Sequence, residues 1–174
     1  MTPLEQMARD FAAAAHQAAG QKRKYTGEPY ETHPQAVAEI VRSVPHTEAM
    51  LCAAHLHDVV EDTGVPLARI EDMFGFEVAL LVEQLTDVSK PSDGNRAVRK
   101  RLDLEHTAKA SPQAKTIKLA DLIDNSSSIL ARDPGFARVY LREKIALLKV
   151  LVNGDQKLWA RAHEIARVGL VQLD

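Results

Sequence analysis

Apolar residues recur along this chain at spacings of three and four, the period of one helical face, and no stretch alternates at the period of a half-buried strand. Residues 3–19 are alanine-rich and open on Thr2-Pro3, a capping hydroxyl followed by a first-turn proline; Gly20 closes the segment. A basic loop over residues 21–30 follows, with Lys22, Arg23, Lys24 and two tyrosines. Thr32-His33-Pro34 starts a helix whose apolar side is Ala36, Val37, Ile40 and Val41, and Pro45 ends it. Thr47 opens a very apolar helix through residues 50–60, and Thr63-Gly64-Val65-Pro66 turns the chain. Residues 67–74 and 76–85 read as two helices split by Gly75. A polar loop at 89–94 leads to a charged helix over 95–110, and Ser111-Pro112 begins another that carries Ile117, Leu119, Leu122 and Ile123. Asp133-Pro134-Gly135 breaks the chain before two amphipathic helices around 139–152 and 158–170; Leu147, Leu148, Leu151 and Val152 are the expected core stripe of the first. The pattern predicts an all-α, single-domain helical bundle over residues 1–174.

Composition agrees with helix: 45% of the 174 residues are hydrophobic but only 5% are aromatic. With 22 basic and 24 acidic side chains the formal net charge is −2, which gives no global pull toward nucleic acid or a membrane surface. An anionic ligand must then be drawn by a local basic patch or a metal. Cys52, the single cysteine, sits in an apolar run and reads as a small buried hydrophobe. The N-terminus has no basic stretch followed by an apolar one, and no apolar run approaches a membrane span, so the expected residence is cytoplasmic. Nothing in the pattern fixes an oligomeric state.

The chemistry concentrates in a few places. His57-Asp58 supplies an imidazole and a carboxylate, ligand types that suit a divalent cation held from several elements. Neighbours on a helix diverge by about 100°, so both reach one ion only if it lies against the helix near its end. Glu61 and Asp62 stand four residues after His57 and Asp58, on the same face. His33 lies one element upstream. Asp121, among Ile117, Leu119, Leu122 and Ile123, is a carboxylate on a helix that reads as mostly buried, with Asn125 four residues later on its face. His16, His46, His106 and His163 read as surface or packing residues, His55 as core or as support for His57, and Asp124 as a surface acid or a support for the ligands rather than a ligand itself.

As an ordered set these residues resemble the HD-domain phosphohydrolases, whose motif is His…His-Asp…Asp. The chain is most similar to the small, single-domain RelA/SpoT-type alarmone hydrolases. The matching stretches are Gly20-Gln21-Lys22-Arg23-Lys24, Thr26-Gly27-Glu28-Pro29-Tyr30, His33-Pro34, His55-Leu56-His57-Asp58-Val59-Val60-Glu61-Asp62-Thr63, Phe74-Gly75-Phe76-Glu77-Val78, Leu85-Thr86 and Ile117-Lys118-Leu119-Ala120-Asp121. The resemblance implies an all-helical, manganese-binding enzyme that removes the 3′-pyrophosphate of guanosine tetra- or pentaphosphate. It implies His33, His57, Asp58 and Asp121 as metal ligands, and Glu61 and Asp62 as the pair that handles the attacking water. It implies Arg23, Lys24, Arg96, Asn125 and Tyr140 as contacts to the nucleotide. Tyr25 adds a ring beside the basic pair, Leu122 stands where family members often carry a basic residue, and Ser126-Ser127-Ser128 replaces the usual run after Asn125. These departures touch the substrate side. They leave open an HD phosphohydrolase acting on another nucleotide or a dinucleotide cofactor phosphate, and, from a different class, a nucleotide-sensing module without turnover. The intact His, Asp and Glu set favours catalysis.

Overall fold

The computed structural model describes residues 1–24 and 26–173, and of Ser127, Ser128, Ala131 and Pro134 the backbone alone. Tyr25, and with it the ring surface expected beside Lys24, lies outside the described residues. The helices are α1 (Pro3–Ala18), α2 (Thr32–Arg42), α3 (Glu48–Leu56), α4 (Val59–Thr63), α5 (Leu67–Phe74), α6 (Phe76–Leu85), α7 (Arg96–Ala108), α8 (Pro112–Arg132), α9 (Pro134–Leu148) and α10 (Gln156–Leu173). Pro91–Asp93 adds a 3₁₀ turn in the polar loop before α7. No strand occurs among the described residues; the basic loop is drawn together only by an isolated bridge between Lys22 and Pro29.

Local chemistry starts these helices where the sequence signals do. Thr2 accepts from the Glu5 N–H, Thr47 from Met50, Asn95 from Val98, Ser111 from Ala114 and Asp133 from Phe136, each satisfying a donor that a helix N-terminus leaves unpaired. Gly64 ends α4 at φ +76°, a left-handed conformation that costs glycine nothing. Gly154 serves packing instead. A Cβ there would stand 2.8 Å from Leu119 Cδ1 and 3.1 Å from the Lys115 carbonyl carbon, so the α9–α10 turn presses directly on α8.

α8 is the central element, packed against α2, α3, α6, α9 and α10. Ile117, Leu119, Leu122 and Ile123 are buried on it as expected, and they meet Val37 and Val41 of α2, Leu56 of α3 and Leu141 and Leu148 of α9 in a continuous core. Each fully buried aliphatic side chain contributes roughly 1.5–3 kcal/mol. Two expectations are corrected. Val152 is 48% exposed, because α9 stops at Leu148 and turns the chain before the stripe is complete; Leu148 and Leu151 are buried in the core and Leu147 packs against it half-buried. The helix expected through residues 50–60 is interrupted at His57-Asp58, and that interruption builds the site. No helix among the described residues is long and apolar enough to cross a membrane.

Candidate metal centre

His33 stands in the first turn of α2, His57 and Asp58 form the turn between α3 and α4, and Asp121 lies within α8. Asp58 sits at φ −98°, ψ −5°, in the sparsely populated bridge region, and its carboxylate makes no capping bond to α4. It is therefore free to turn inward beside His57. The break solves the divergence problem that a continuous helix would pose for two adjacent ligands.

The imidazoles are oriented from behind. His57 Nδ1 lies 2.9 Å from the Ala54 carbonyl oxygen, and His33 Nδ1 lies 2.7 Å from Asp124 Oδ2. Both neighbours are acceptors, so each Nδ1 carries a hydrogen, and it is Nε2 that offers a lone pair whenever the ring is neutral. Both Nε2 atoms are buried and make no hydrogen bond. His33 Nε2 is 3.2 Å from Asp121 Oδ1 and 3.7 Å from Asp58 Oδ2; His57 Nε2 is 3.1 Å from Asp58 Oδ2 and 4.0 Å from Asp121 Oδ1. His33, His57 and Asp58 can together hold a metal ion, their ligand atoms lying within 4.8 Å of one another. Separations of 3.1–4.0 Å match the edges of a shell whose members each stand roughly 2.1 Å from one ion. Two unpartnered imidazole nitrogens turned toward carboxylate oxygens are costly in a buried space, and a cation removes the cost.

Electrostatics tell the same story. Burial lowers the His33 pKa, but the Asp121 and Asp124 carboxylates outweigh it and carry it up to about 9. Burial likewise opposes ionisation of Asp58 and Asp121, yet His57 beside the first and Lys118 beside the second hold both below the usual carboxylate range. Positive charge is what this space takes up. The carboxylates are held by their neighbours: Tyr30 donates to Asp58 Oδ2 at 2.5 Å and Asn125 Nδ2 donates to Asp121 Oδ1 at 2.6 Å, both oxygens that face the imidazoles, while Lys118 Nζ stands 3.3 Å from Asp121 Oδ2. Asn125, read as a nucleotide contact, thus holds a carboxylate of the cluster.

Glu61 and Asp62 lie on α4, directly after the break. Glu61 Oε2 accepts the Asp87 N–H at 3.2 Å; desolvation and the nearby Asp87 carboxylate push its pKa up to about 7. Burial and the Asp58 charge raise Asp62 as well. Both acids are therefore more basic than ordinary carboxylates, the property a general base at neutral pH requires.

The basic residues divide. Arg23 Nη2 pairs at 2.9 Å with Asp124 Oδ2, the oxygen that orients His33, so the basic loop is linked to a ring of the cluster. Lys24 and Arg96 place their cations 5.5 and 5.6 Å from the centroid of one ring, Phe136. Arg96 also forks onto Glu143, at 2.8 and 2.7 Å. Arg96 and Tyr140 both line a cavity of about 380 Å³ between α7, α8 and α9, which Lys118 joins to the His-Asp cluster. Sequence reasoning passed over Tyr30, Lys118 and the full part of Asp124. Lys118 and Asp124 flank Asp121 at three residues on α8, a spacing that does place neighbours on one helical face; Tyr30 offered only its nearness to His33.

Comparison with known proteins gives a consistent picture. The family model described as HD domain matches residues 8–165. A probable guanosine-3′,5′-bis(diphosphate) 3′-pyrophosphohydrolase of Synechocystis is 36% identical over 136 residues, 76% of this chain; the chain spans only 18% of that relative's length. The Homo sapiens guanosine-3′,5′-bis(diphosphate) 3′-pyrophosphohydrolase MESH1 is 43% identical over 153 residues, 86% of this chain and 83% of the relative. The solved structure of a metazoan ortholog of SpoT, described as hydrolysing ppGpp, superimposes with a TM-score of 0.85 at 32% identity, covering 98% of each chain.

Proposed function

The chain belongs to the HD domain family, and from that premise we propose that it is a metal-dependent hydrolase of guanosine 3′,5′-bis(diphosphate), releasing pyrophosphate from the 3′ position. The observation that carries the reading is the pair of buried, unpartnered Nε2 atoms converging with Asp58 and Asp121 beside a cation-lined cavity. We assign residues 1–174 to one HD phosphohydrolase domain, with His33, His57, Asp58 and Asp121 as the ligands of a divalent ion, manganese by preference. Such an ion supplies Lewis acidity at a phosphoryl oxygen and makes water easier to deprotonate.

The protein's own groups do the rest. Glu61, with its pKa near neutrality, takes a proton from water, and Asp62 orients that water from the same short helix. The water oxygen bonds to the phosphorus attached to the ribose 3′ oxygen as that P–O bond breaks, and the proton taken by Glu61 passes to the 3′ oxygen, leaving a 3′-hydroxyl and free pyrophosphate. Arg23 and Lys24 meet the departing phosphates from the basic loop, arginine by a fork and lysine as a mobile charge. Arg96 and Tyr140 face the nucleotide from the cavity, and Asn125 keeps Asp121 aimed at the ion. A nucleotide substrate and a free, buried Cys52 both fit residence in the cytoplasm.

The test is a panel of phosphorylated nucleotides incubated with manganese-loaded protein while phosphate and pyrophosphate are counted. One pyrophosphate and one GDP per guanosine tetraphosphate is the expected result. The E61Q/D62N variant keeps its metal and loses turnover. Cleavage of another nucleotide with the guanosine compound untouched replaces the substrate; no cleavage of any member overturns the hydrolase reading.

A further inference from the structure

The cavity beside the metal centre holds more positive charge than the hydrolysed phosphate needs. Its walls carry Arg96, Lys100, Arg101, Lys118 and Lys144 against Asp87, Asp103 and Glu143. Most of these cations are already answered. Arg96 is forked onto Glu143, Lys100 lies 3.1 Å from Asp87 and 3.6 Å from Asp103, Arg101 lies 3.8 Å from Glu105, and Lys118 is held by Asp121. Lys144 differs. It has no carboxylate within ion-pair distance among the described residues, and its ammonium rests 4.6 Å from the centroid of the Tyr140 ring. Burial, reinforced by Lys118 and Lys100, depresses its pKa to about 8. The Tyr140 hydroxyl in the same wall is buried and makes no hydrogen bond. An unanswered ammonium and an unanswered hydroxyl in one cavity wall are the complement of a phosphate oxygen: one gives charge, the other a directed donor.

Size and position narrow the ligand. About 380 Å³ exceeds the need of a single phosphate and lies in the usual range of small-molecule sites. Lys118 lines the cavity and touches Asp121, and Asp87 lines it while donating its N–H to Glu61, so the cavity opens beside the cluster and the water-handling acids. A ligand with one phosphate group at the His-Asp cluster can extend a second into this space. We propose that Lys144, together with the Tyr140 hydroxyl, binds the diphosphate of the substrate that is not hydrolysed, and so makes Lys144 a specificity-determining residue for nucleotides phosphorylated at two positions. The inference rests on the proposed reaction for the identity of the substrate, but the binding chemistry is separable from turnover.

GDP carries the retained diphosphate and lacks the hydrolysed one, which makes it the probe. Manganese-loaded protein is titrated calorimetrically with GDP, GMP and guanosine. Wild type is expected to prefer GDP to GMP by about 10-fold or more, the worth of one charge-assisted hydrogen bond. K144M abolishes that preference, leaves guanosine binding unchanged and raises KM for the tetraphosphate with little change in kcat. K144R, which restores a cation, recovers most of the GDP affinity. Thermal unfolding of both variants confirms that they are folded. Equal GDP affinity in wild type and folded K144M overturns the proposal, whatever the activity. Lys144-dependent GDP binding without hydrolysis of any guanosine polyphosphate overturns the proposed reaction and leaves this binding site standing.

Discussion

His55 and His57 lie two residues apart at the end of α3, yet they enter two buried clusters of opposite character. His55 Nε2 lies 3.4 Å from Glu5 Oε1, and Arg42 donates to the same oxygen; none of the fully buried side-chain polar atoms left without a partner belongs to that cluster. His57 joins His33, Asp58 and Asp121, where both Nε2 atoms are unanswered and the carboxylates around them offer no donor. The composition is similar, imidazole plus carboxylate, and all of these side chains but the half-buried Asp58 are buried. The difference is valence. The first cluster contains its own cation, Arg42, and is closed; it ties α1, α2 and α3 together. The second has cations at its margin, Lys118 on Asp121 and Arg23 on Asp124, yet the two Nε2 atoms at its centre stay unanswered. A buried polar group announces a ligand by what remains unsatisfied after its neighbours are counted.

The largest effect that sharpens this contrast is expected from His57. H57A removes one of the proposed ligand atoms, and manganese-dependent pyrophosphate release should fall to the no-enzyme background with metal binding lost by calorimetry. Retained metal affinity would mean that the open cluster is not the metal site. At the closed cluster the outcome is reversed. E5A leaves His55 buried and Arg42 partly exposed without a counter-charge, and should lower the unfolding free energy by about 2–3 kcal/mol in denaturant titration, while kcat of the folded protein is unchanged. The same cluster gives a pH signature. Burial would raise the Glu5 carboxyl, but Arg42 and His55 hold it below its ordinary 4.5, so its stabilisation is present above that value and lost as pH falls through the lower folded one. Burial depresses His55 below its ordinary 6.5, so protonating it in the unfolded chain costs stability in the same direction. The unfolding midpoint should therefore decline from about pH 6.5 downward, and E5Q should flatten the lower part of that decline. The smallest effect is D124N. It keeps an acceptor near His33 Nδ1 but removes the charge and the Arg23 ion pair, and should weaken manganese binding by roughly 10- to 100-fold. Unchanged affinity in D124N would make Asp124 a bystander and narrow the difference between the clusters.

Much of this molecule is local and was legible in order. Caps such as Thr2, Thr47, Asn95 and Ser111, and breakers such as Gly75, act within one turn, so the split into 67–74 and 76–85 follows from neighbouring residues alone. The burial of Ile117, Leu119, Leu122 and Ile123 follows from helical period. The His…His-Asp…Asp order marked the family and the ligand set to propose. Tertiary structure decided what depends on distant partners. His33 meets Asp124 across 91 positions and His55 meets Glu5 across 50, contacts that exist only because α2 packs on α8 and α1 on α3. The interruption at His57-Asp58 carried no glycine or proline to mark it, and the weak helix propensity of Val59 and Val60 does not by itself place a break. The cavity that isolates Lys144 likewise arises between three helices. Periodicity and capping are read within a turn or two, so a sequence determines them directly; which lone pairs remain unanswered is settled only when packing has assigned every other partner.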